Sequence, residues 1–422
     1  MENRPEIERR AFLESGLMSF AMATGALPAF ASFPGNARTF RLRETVGLRR
    51  FGYPVSIPLP LELTGPNFRL ECNGKAIPSQ FRPVKGLKGQ GGVILDFVAS
   101  PGPLETELYV LQSGEGIDPG PEVSKGMSVG HERDRFFVSN GASLSYSIPE
   151  TLDEFFTSVR NANLEFFSNG LDEIILPDLL NGKREPGLRR NRSYGFFVEG
   201  SGNSVGNVLP WKGTISRAGP LAIGLQFLGQ TKFEKGKSVT SVLDLTFPSS
   251  KSWVEASWTV DDPEGIVSRV GVDLHLLVEG ARTLIDLGAS NTVYGQIGSN
   301  EVMTLEAGAD LDKAWVVRKG GPGRPLVFAS ATSKNAPPSE GWAHIMDSQR
   351  CTALAVEGFG RETRDTISVR GDGRIQFDRR YSSPRKASRN LRFWLHFVSN
   401  PVQVGAATSP QAILAPLKIE WV

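Results

Sequence analysis

Residues 253–260 read Trp253-Val254-Glu255-Ala256-Ser257-Trp258-Thr259-Val260. Val254, Ala256, Trp258 and Val260 fall on one side of an extended chain, and Trp253, Glu255, Ser257 and Thr259 on the other. A period of two with one apolar side is the pattern of a β-strand with a single buried face. Similar runs occupy 221–227, 239–247, 271–278, 315–317, 353–356 and 391–398. One segment alone reads as helix: Thr151 and Glu154 have capping-box spacing, and Leu152, Phe155, Phe156 and Val159 share a helical face. The chain is therefore expected to be all-β. No composition break divides 127–422, so that span is expected to form one large β-sandwich, and no fixed-period repeat points to a propeller or solenoid.

The totals agree with this reading. At 422 residues and 40% hydrophobic, the chain has enough apolar side chains for two or three cores. The 46 glycines and 28 prolines are spread along its length, which cuts it into many short elements. With 47 basic and 45 acidic residues, no global field gathers phosphates, so a nucleic acid is not an expected partner. Cys72 and Cys351 allow one disulfide and require none; no Cys/His spacing suggests zinc, and no metal or cofactor is expected.

Upstream, Phe68-Arg69-Leu70-Glu71-Cys72 followed by Asn73-Gly74 reads as a strand entering a type I′ hairpin, and Val93-Ile94-Leu95-Asp96-Phe97-Val98 as a nearly continuous apolar strand. Residues 40–113 are thus expected to form a small barrel of short strands. The Gly- and Pro-rich stretch 114–126 reads as a linker. At the N-terminus Arg9-Arg10-Ala11-Phe12-Leu13 precedes an uncharged, weakly apolar run that ends in Ala29-Phe30-Ala31. This is similar to a twin-arginine export signal cleaved after Ala31, too dilute for a stable membrane span. The expected location is periplasmic or extracellular, with no membrane contact after cleavage.

Several catalytic patterns fail on inspection. Gly202-Asn203-Ser204-Val205-Gly206 fits G-x-S-x-G, but Pro210 and Gly213 break the helix that a nucleophile elbow needs. Gly320-Gly321-Pro322-Gly323 lacks the Lys-Ser/Thr ending of a phosphate loop. Among the four histidines, His344 has the richest setting, with Trp342, Asp347 and Arg350 nearby; His131, His275 and His396 read as surface or core imidazoles. The densest positive stretch runs from Lys183 to Tyr194. Such a loop is either simply solvated or an anion clamp in which Arg189 and Arg192 hold carboxylates. Tyr194, Lys212 and His344 are the candidate acids or bases. Trp211 and Trp342, with Arg350, are the candidate substrate-binding residues.

Residues 46–61 (Val-Gly-Leu-Arg-Arg-Phe-Gly-Tyr-Pro-Val-Ser-Ile-Pro-Leu-Pro-Leu), 67–82 and 92–97 together resemble the N-terminal RIFT-type barrel of the YetA-like exo-rhamnogalacturonan lyases. Residues 217–221, 341–359, 371–375 and 393–417 resemble the same family's central β-sandwich. The resemblance implies a RIFT-like barrel followed by a galactose-mutarotase-like supersandwich, without the helical α/α toroid into which full-length members continue. It lies in fold-bearing positions and carries over no catalytic residue. It implies an exported protein that acts on, or binds, an acidic pectic polysaccharide. Elimination at a uronate would need a cation on the carboxylate and a base. The other readings are a noncatalytic carbohydrate-binding or scaffold protein, and a subunit that partners a separate toroid chain.

Overall fold

The computed structural model describes residues 36–59, 67–85, 91–123, 126–140, 144–151, 155–167, 195–201, 206–208, 211–321, 325–382, 386–400 and 409–422. The described chain is nearly all β, as its alternating sequence requires. The export signal, the G-x-S-x-G serine and the basic run lie outside the described residues.

Two sheets form the N-terminal part. One has five strands in the order Lys418–Trp421, Asn36–Arg43, Thr106–Ser113, Phe68–Cys72 and Lys75–Ala76. The other has three, Tyr53–Pro58, Gly91–Ala99 and Ser79–Lys85. Phe40, Leu42, Val55, Leu70, Leu95, Phe97, Tyr109 and Leu111 fill one core between them. The hairpin read at Asn73-Gly74 is present: both residues take left-handed backbone angles, φ 52° and 72°, as a type I′ turn demands.

The larger part is built on a seven-stranded sheet and a ten-stranded sheet. The seven-stranded sheet runs from Gly195–Gly200 through Val267–His275, Arg374–Arg380, Arg364–Arg370 and Val302–Ala307 to Trp315–Gly320 and Leu326–Ser330. The ten-stranded sheet centres on Trp253–Asp262, flanked by Ser238–Pro248 and Ala387–Ser399. Arg350–Val356, Trp342–Met346, Arg282–Gly288 and Thr292–Gly298 follow the latter. At the opposite end Lys212–Arg217 pairs with Ala222–Lys232. A further five-stranded sheet, Ser128–Glu132 to Leu164–Glu165, joins the same core. In the strand Trp253–Asp262, Val254, Ala256, Trp258 and Val260 are all buried in that core.

Two expectations change. The helix expected over 151–159 is not formed by its described residues: Ser158–Asn161 is a strand, and Val159 faces Tyr146 in antiparallel register. Phe155 and Phe156, adjacent in sequence, are both buried, because rings around Tyr146, Phe196 and Phe397 take up both sides of the chain there. The second change concerns the C-terminus. The expected sandwich runs to 422, yet Lys418–Trp421 pairs with Asn36–Arg43, Phe40 opposite Trp421 and Leu42 opposite Ile419.

A buried ion pair fixes that return. Glu44 accepts N–H bonds from Val46, Gly47, Leu48 and Leu104, and the Arg50 guanidinium bonds it at 2.8 and 3.1 Å. Arg50 also donates to the carbonyls of Ala412 and, at 2.7 Å, Ala415. These carbonyls belong to the short helix Pro410–Leu414 and its end, 362 and 365 positions from Arg50. Both side chains are sealed from solvent. Burial would push the Glu44 carboxyl up, but Arg50 and the backbone N–H groups outweigh it and hold it at about 2. An unfolded glutamate titrates near 4.5. The pair therefore stabilises the fold fully above that value, and the contribution is lost as pH falls from about 4.5 to 2. Glu44→Gln is expected to cost about 3 kcal/mol at pH 7 and much less at pH 2. Urea midpoints of both proteins at the two pH values measure this; an unchanged gap would refute the assignment.

Candidate functional site

The outer face of the ten-stranded sheet carries the aromatic residues that its inner face does not need. Strand pairing sets Glu255 beside Trp394, Trp394 beside Ala355, and Ala355 beside Trp342 in one row. The next row sets Trp253 beside His396, His396 beside Ala353, Ala353 beside His344, and His344 beside Asp286. Trp253, Trp342 and Trp394 would be solvated on an isolated sandwich. Here the N-terminal sheets and the C-terminal helix cover them, leaving 3–5% exposed. The helix lies against the strand of Ala353 and Ala355, whose small side chains leave room for it. Gly288 has the same role under Trp342, where a Cβ would collide with the indole.

A cavity of about 150 Å³ opens along this seam. Tyr53, Trp253 and Trp394 supply aromatic surface, and Asp96, Arg217, Glu255 and Arg392 supply charge. Asp96 is buried; it accepts from Ser56 at 2.5 Å, from Arg82 Nε at 3.1 Å, and faces Arg217 Nη2 at 2.6 Å. Burial pushes the Arg217 guanidinium down to about 10; Asp96 opposes that shift and the Arg82 charge adds to it. Arg217 Nε is buried with no hydrogen-bond partner among the described residues. Glu255 lies nearer the mouth, where it accepts from Arg392 Nε at 2.8 Å and from Trp394 Nε1 at 3.2 Å. Arg392 in turn lies 4.9 Å over the Trp394 ring. Burial, with the Glu255 charge, pushes the Tyr53 phenol up to about 12. Two carboxylates and two guanidiniums thus present forked hydrogen-bonding groups around aromatic walls, with no net excess of charge among them.

The residues singled out from sequence do not converge. Arg189, Arg192 and Tyr194 lie outside the described residues. Trp211 is fully buried in the sandwich core, 5.1 Å from Phe196 and 5.9 Å from Trp258 ring to ring, so it offers no face to a sugar. Trp342 is buried on the opposite side of the sheet and donates Nε1 to Glu340 at 2.7 Å. Arg350 is a clamp: it bonds Asp347 and Glu279 at 2.9 Å each and the Glu165 carbonyl at 2.6 Å. Buried charge of this kind is stable only when fully paired, which leaves no donor fork for a substrate. Lys212 is exposed, and six strand steps separate it from His344. At ~4.8 Å per step that is roughly 29 Å along the sheet, too far for one acid–base pair. His344 remains partly exposed, its Nδ1 3.5 Å from Asp286 and its ring 5.1 Å from Trp342.

The other histidines have structural settings. His131 meets Glu150 at 3.2 Å, His275 meets the Asp372 carbonyl at 3.1 Å, and His396 is buried against Trp253. Cys72 and Cys351 are both free thiols. No group of three metal-binding side chains occurs among the described residues. The cavity residues Asp96, Arg217 and Arg392 were not singled out from sequence. A lone acid inside the apolar run 93–98 was the one available signal.

No protein-family model matches the sequence, and no curated protein matches it. The resemblance to the lyase family therefore rests on the residues quoted for it. Among solved structures, the chain is similar to an α-mannosidase from Enterococcus faecalis V583, with 9% identity and a TM-score of 0.48. That match covers 92% of this chain and 46% of the other. It is similar to a glycosyl hydrolase family 38 protein from Enterococcus faecalis at 10% identity and 0.48, covering 92% and 48%. A third match is an α-galactosidase from Lactobacillus brevis at 10% and 0.29, covering 78% and 39%. The chain spans less than half the length of each of these proteins.

The burial of the two tryptophans yields a test. Trp211→Ala and Trp342→Ala are each expected to lower stability by about 3–5 kcal/mol, the cost of emptying a core site. Denaturant midpoints check this; a loss below ~1 kcal/mol for either would place that ring at a surface.

Proposed function

We propose that the protein binds carbohydrate, with one sugar ring held in the seam cavity between the N-terminal sheets and the sandwich. The observation that carries this reading is the buried, unpartnered Nε of Arg217 among the cavity walls. A buried donor without an acceptor is costly, and a ligand oxygen would satisfy it. A sugar matches the remaining walls. Its C–H faces pack on indole and phenol rings, and its hydroxyls both donate to carboxylates and accept from guanidiniums. The cavity is smaller than the ~300–1,000 Å³ of sites for drug-sized ligands, which suits a single ring at a chain end.

The chemistry favours binding over catalysis. Asp96 is paired with Arg82 and Arg217, and Glu255 with Arg392 and the Trp394 N–H, so both carboxylates already hold cationic or N–H partners. The proposed polymer is acidic and pectic, rhamnogalacturonan-like. Its support is the sequence resemblance and the positive run containing Arg189 and Arg192, since the cavity itself is charge-balanced. The export signal extends the proposal to a periplasmic or extracellular location, and a toroid-bearing protein remains the proposed protein partner.

Retention on immobilised rhamnogalacturonan tests the reading. The wild-type chain is expected to be retained and to generate no ultraviolet-absorbing unsaturated uronide. Arg392→Ala, a partly exposed change, is expected to weaken binding at least about tenfold, or ~1.4 kcal/mol. Arg189→Ala with Arg192→Ala is expected to reduce the salt dependence of retention. Absence of retention, or full retention by Arg392→Ala, would overturn the seam site; appearance of the chromophore would make the protein a lyase.

A further inference from the structure

The seam cavity gives onto the outer face of the ten-stranded sheet, since its lining residues Thr246, Glu255 and Arg392 all belong to that face. From Arg392, strand pairing sets one polar side chain beside the next: Ser257 opposite Arg392, Asp244 opposite Ser257, Gln226 opposite Asp244 and Thr214 opposite Gln226. We propose that this row carries the sugar rings that follow the terminal one, so that the protein binds an oligosaccharide chain along the sheet and not a lone sugar. The proposal rests on the seam reading for the position of the chain end.

The chemistry of the row suits hydroxyls. Its five side chains are exposed or partly exposed, while their neighbours along the same strands, such as Leu225, Leu243, Ala256 and Phe393, are buried in the core. Arg392 donates, Asp244 accepts, and Ser257, Gln226 and Thr214 can do both. Gln226 Nε2 donates to Asp244 Oδ1 at 2.9 Å, and Thr214 Oγ1 to the Gln226 carbonyl at 3.4 Å, so these groups are oriented before a ligand arrives. One cation and one anion leave the row without net charge, as in the cavity. Beside it runs a second row, Leu228, Val242, Thr259 and Asn390, in which Leu228 is 55% exposed and offers apolar surface to sugar C–H faces.

Length and energetics agree with a bound chain. Four strand steps at ~4.8 Å span roughly 19 Å, the length of about four linked rings. Once the terminal ring is seated, each further ring meets the sheet at high effective concentration. Contacts too weak to hold a free sugar then still raise the affinity of the chain. A protein partner would need a broad apolar centre, whereas Leu228 is the one large apolar side chain of these two rows that is more than half exposed.

Calorimetric titration with a rhamnogalacturonan disaccharide and hexasaccharide that end in the same ring separates the row from the seam. Wild type is expected to bind the hexasaccharide at least about tenfold more tightly. Gln226→Ala with Asp244→Ala is expected to remove that gain, while the disaccharide, held in the seam alone, binds both proteins alike. The urea midpoint of the double variant is expected to stay at the wild-type value, since both side chains are partly exposed. Equal affinity of wild type for the two lengths, or a length gain that survives the double variant, would overturn the row and leave the seam site standing. Binding of the hexasaccharide alone, lost in the double variant, would retain the row and overturn the seam as the seat of the chain end. Binding of neither would overturn both.

Discussion

The Glu44–Arg50 pair is the constraint around which the molecule is organised. Neither charge reaches solvent, and each has several partners, so the loop at 44–50 has a single arrangement at low energy. Through Arg50 that arrangement is transmitted to the two backbone carbonyls at 412 and 415. The helix holding them can then neither slide nor lift, and the strand that follows arrives beside Phe40 and Leu42 in register. The strand Lys418–Trp421 is thereby tied to the strand Asn36–Arg43 across the outer face of the sandwich.

That tie explains the sidedness of the ten-stranded sheet. An antiparallel sheet commonly has one face on a core and the other in water. Here the second face also carries large apolar groups, Trp253, Trp342 and Trp394, because the N-terminal sheets and the helix cover it. Close approach requires small residues below the helix, which Ala353 and Ala355 provide. Where the covering layers diverge, the polar edges of both parts face each other across a gap. The seam cavity is a product of this imperfect closure.

The charges in the seam follow the same logic. Asp96 lies in an otherwise apolar strand and is tolerated because Ser56, Arg82 and Arg217 converge on it from three other segments. Glu255 and Arg392 pair diagonally across neighbouring strands, Glu255 lying opposite Trp394 and Arg392 opposite Ser257, a contact that costs little to form once the sheet exists. Sites assembled this way arise from several strands at once, which leaves no compact motif in the sequence.

The sequence by itself determined what depends on neighbours along the chain. The period-two pattern of 253–260 fixed a strand and its buried face, and Asn73-Gly74 fixed a turn, because side-chain alternation and left-handed backbone angles are local properties. It failed at 151–159, where adjacent buried phenylalanines mimic a helical stripe unless both sides of the chain are known to be enclosed. The tertiary structure alone decided that Trp211 and Trp342 are core, that Arg350 is a clamp, and that Arg217 meets Asp96. An aromatic or an arginine has the same local signature whether it faces water or another layer. The partners that decide it here come from other segments of the chain, Phe196 and Trp258 for Trp211, Glu279 for Arg350 and Asp96 for Arg217.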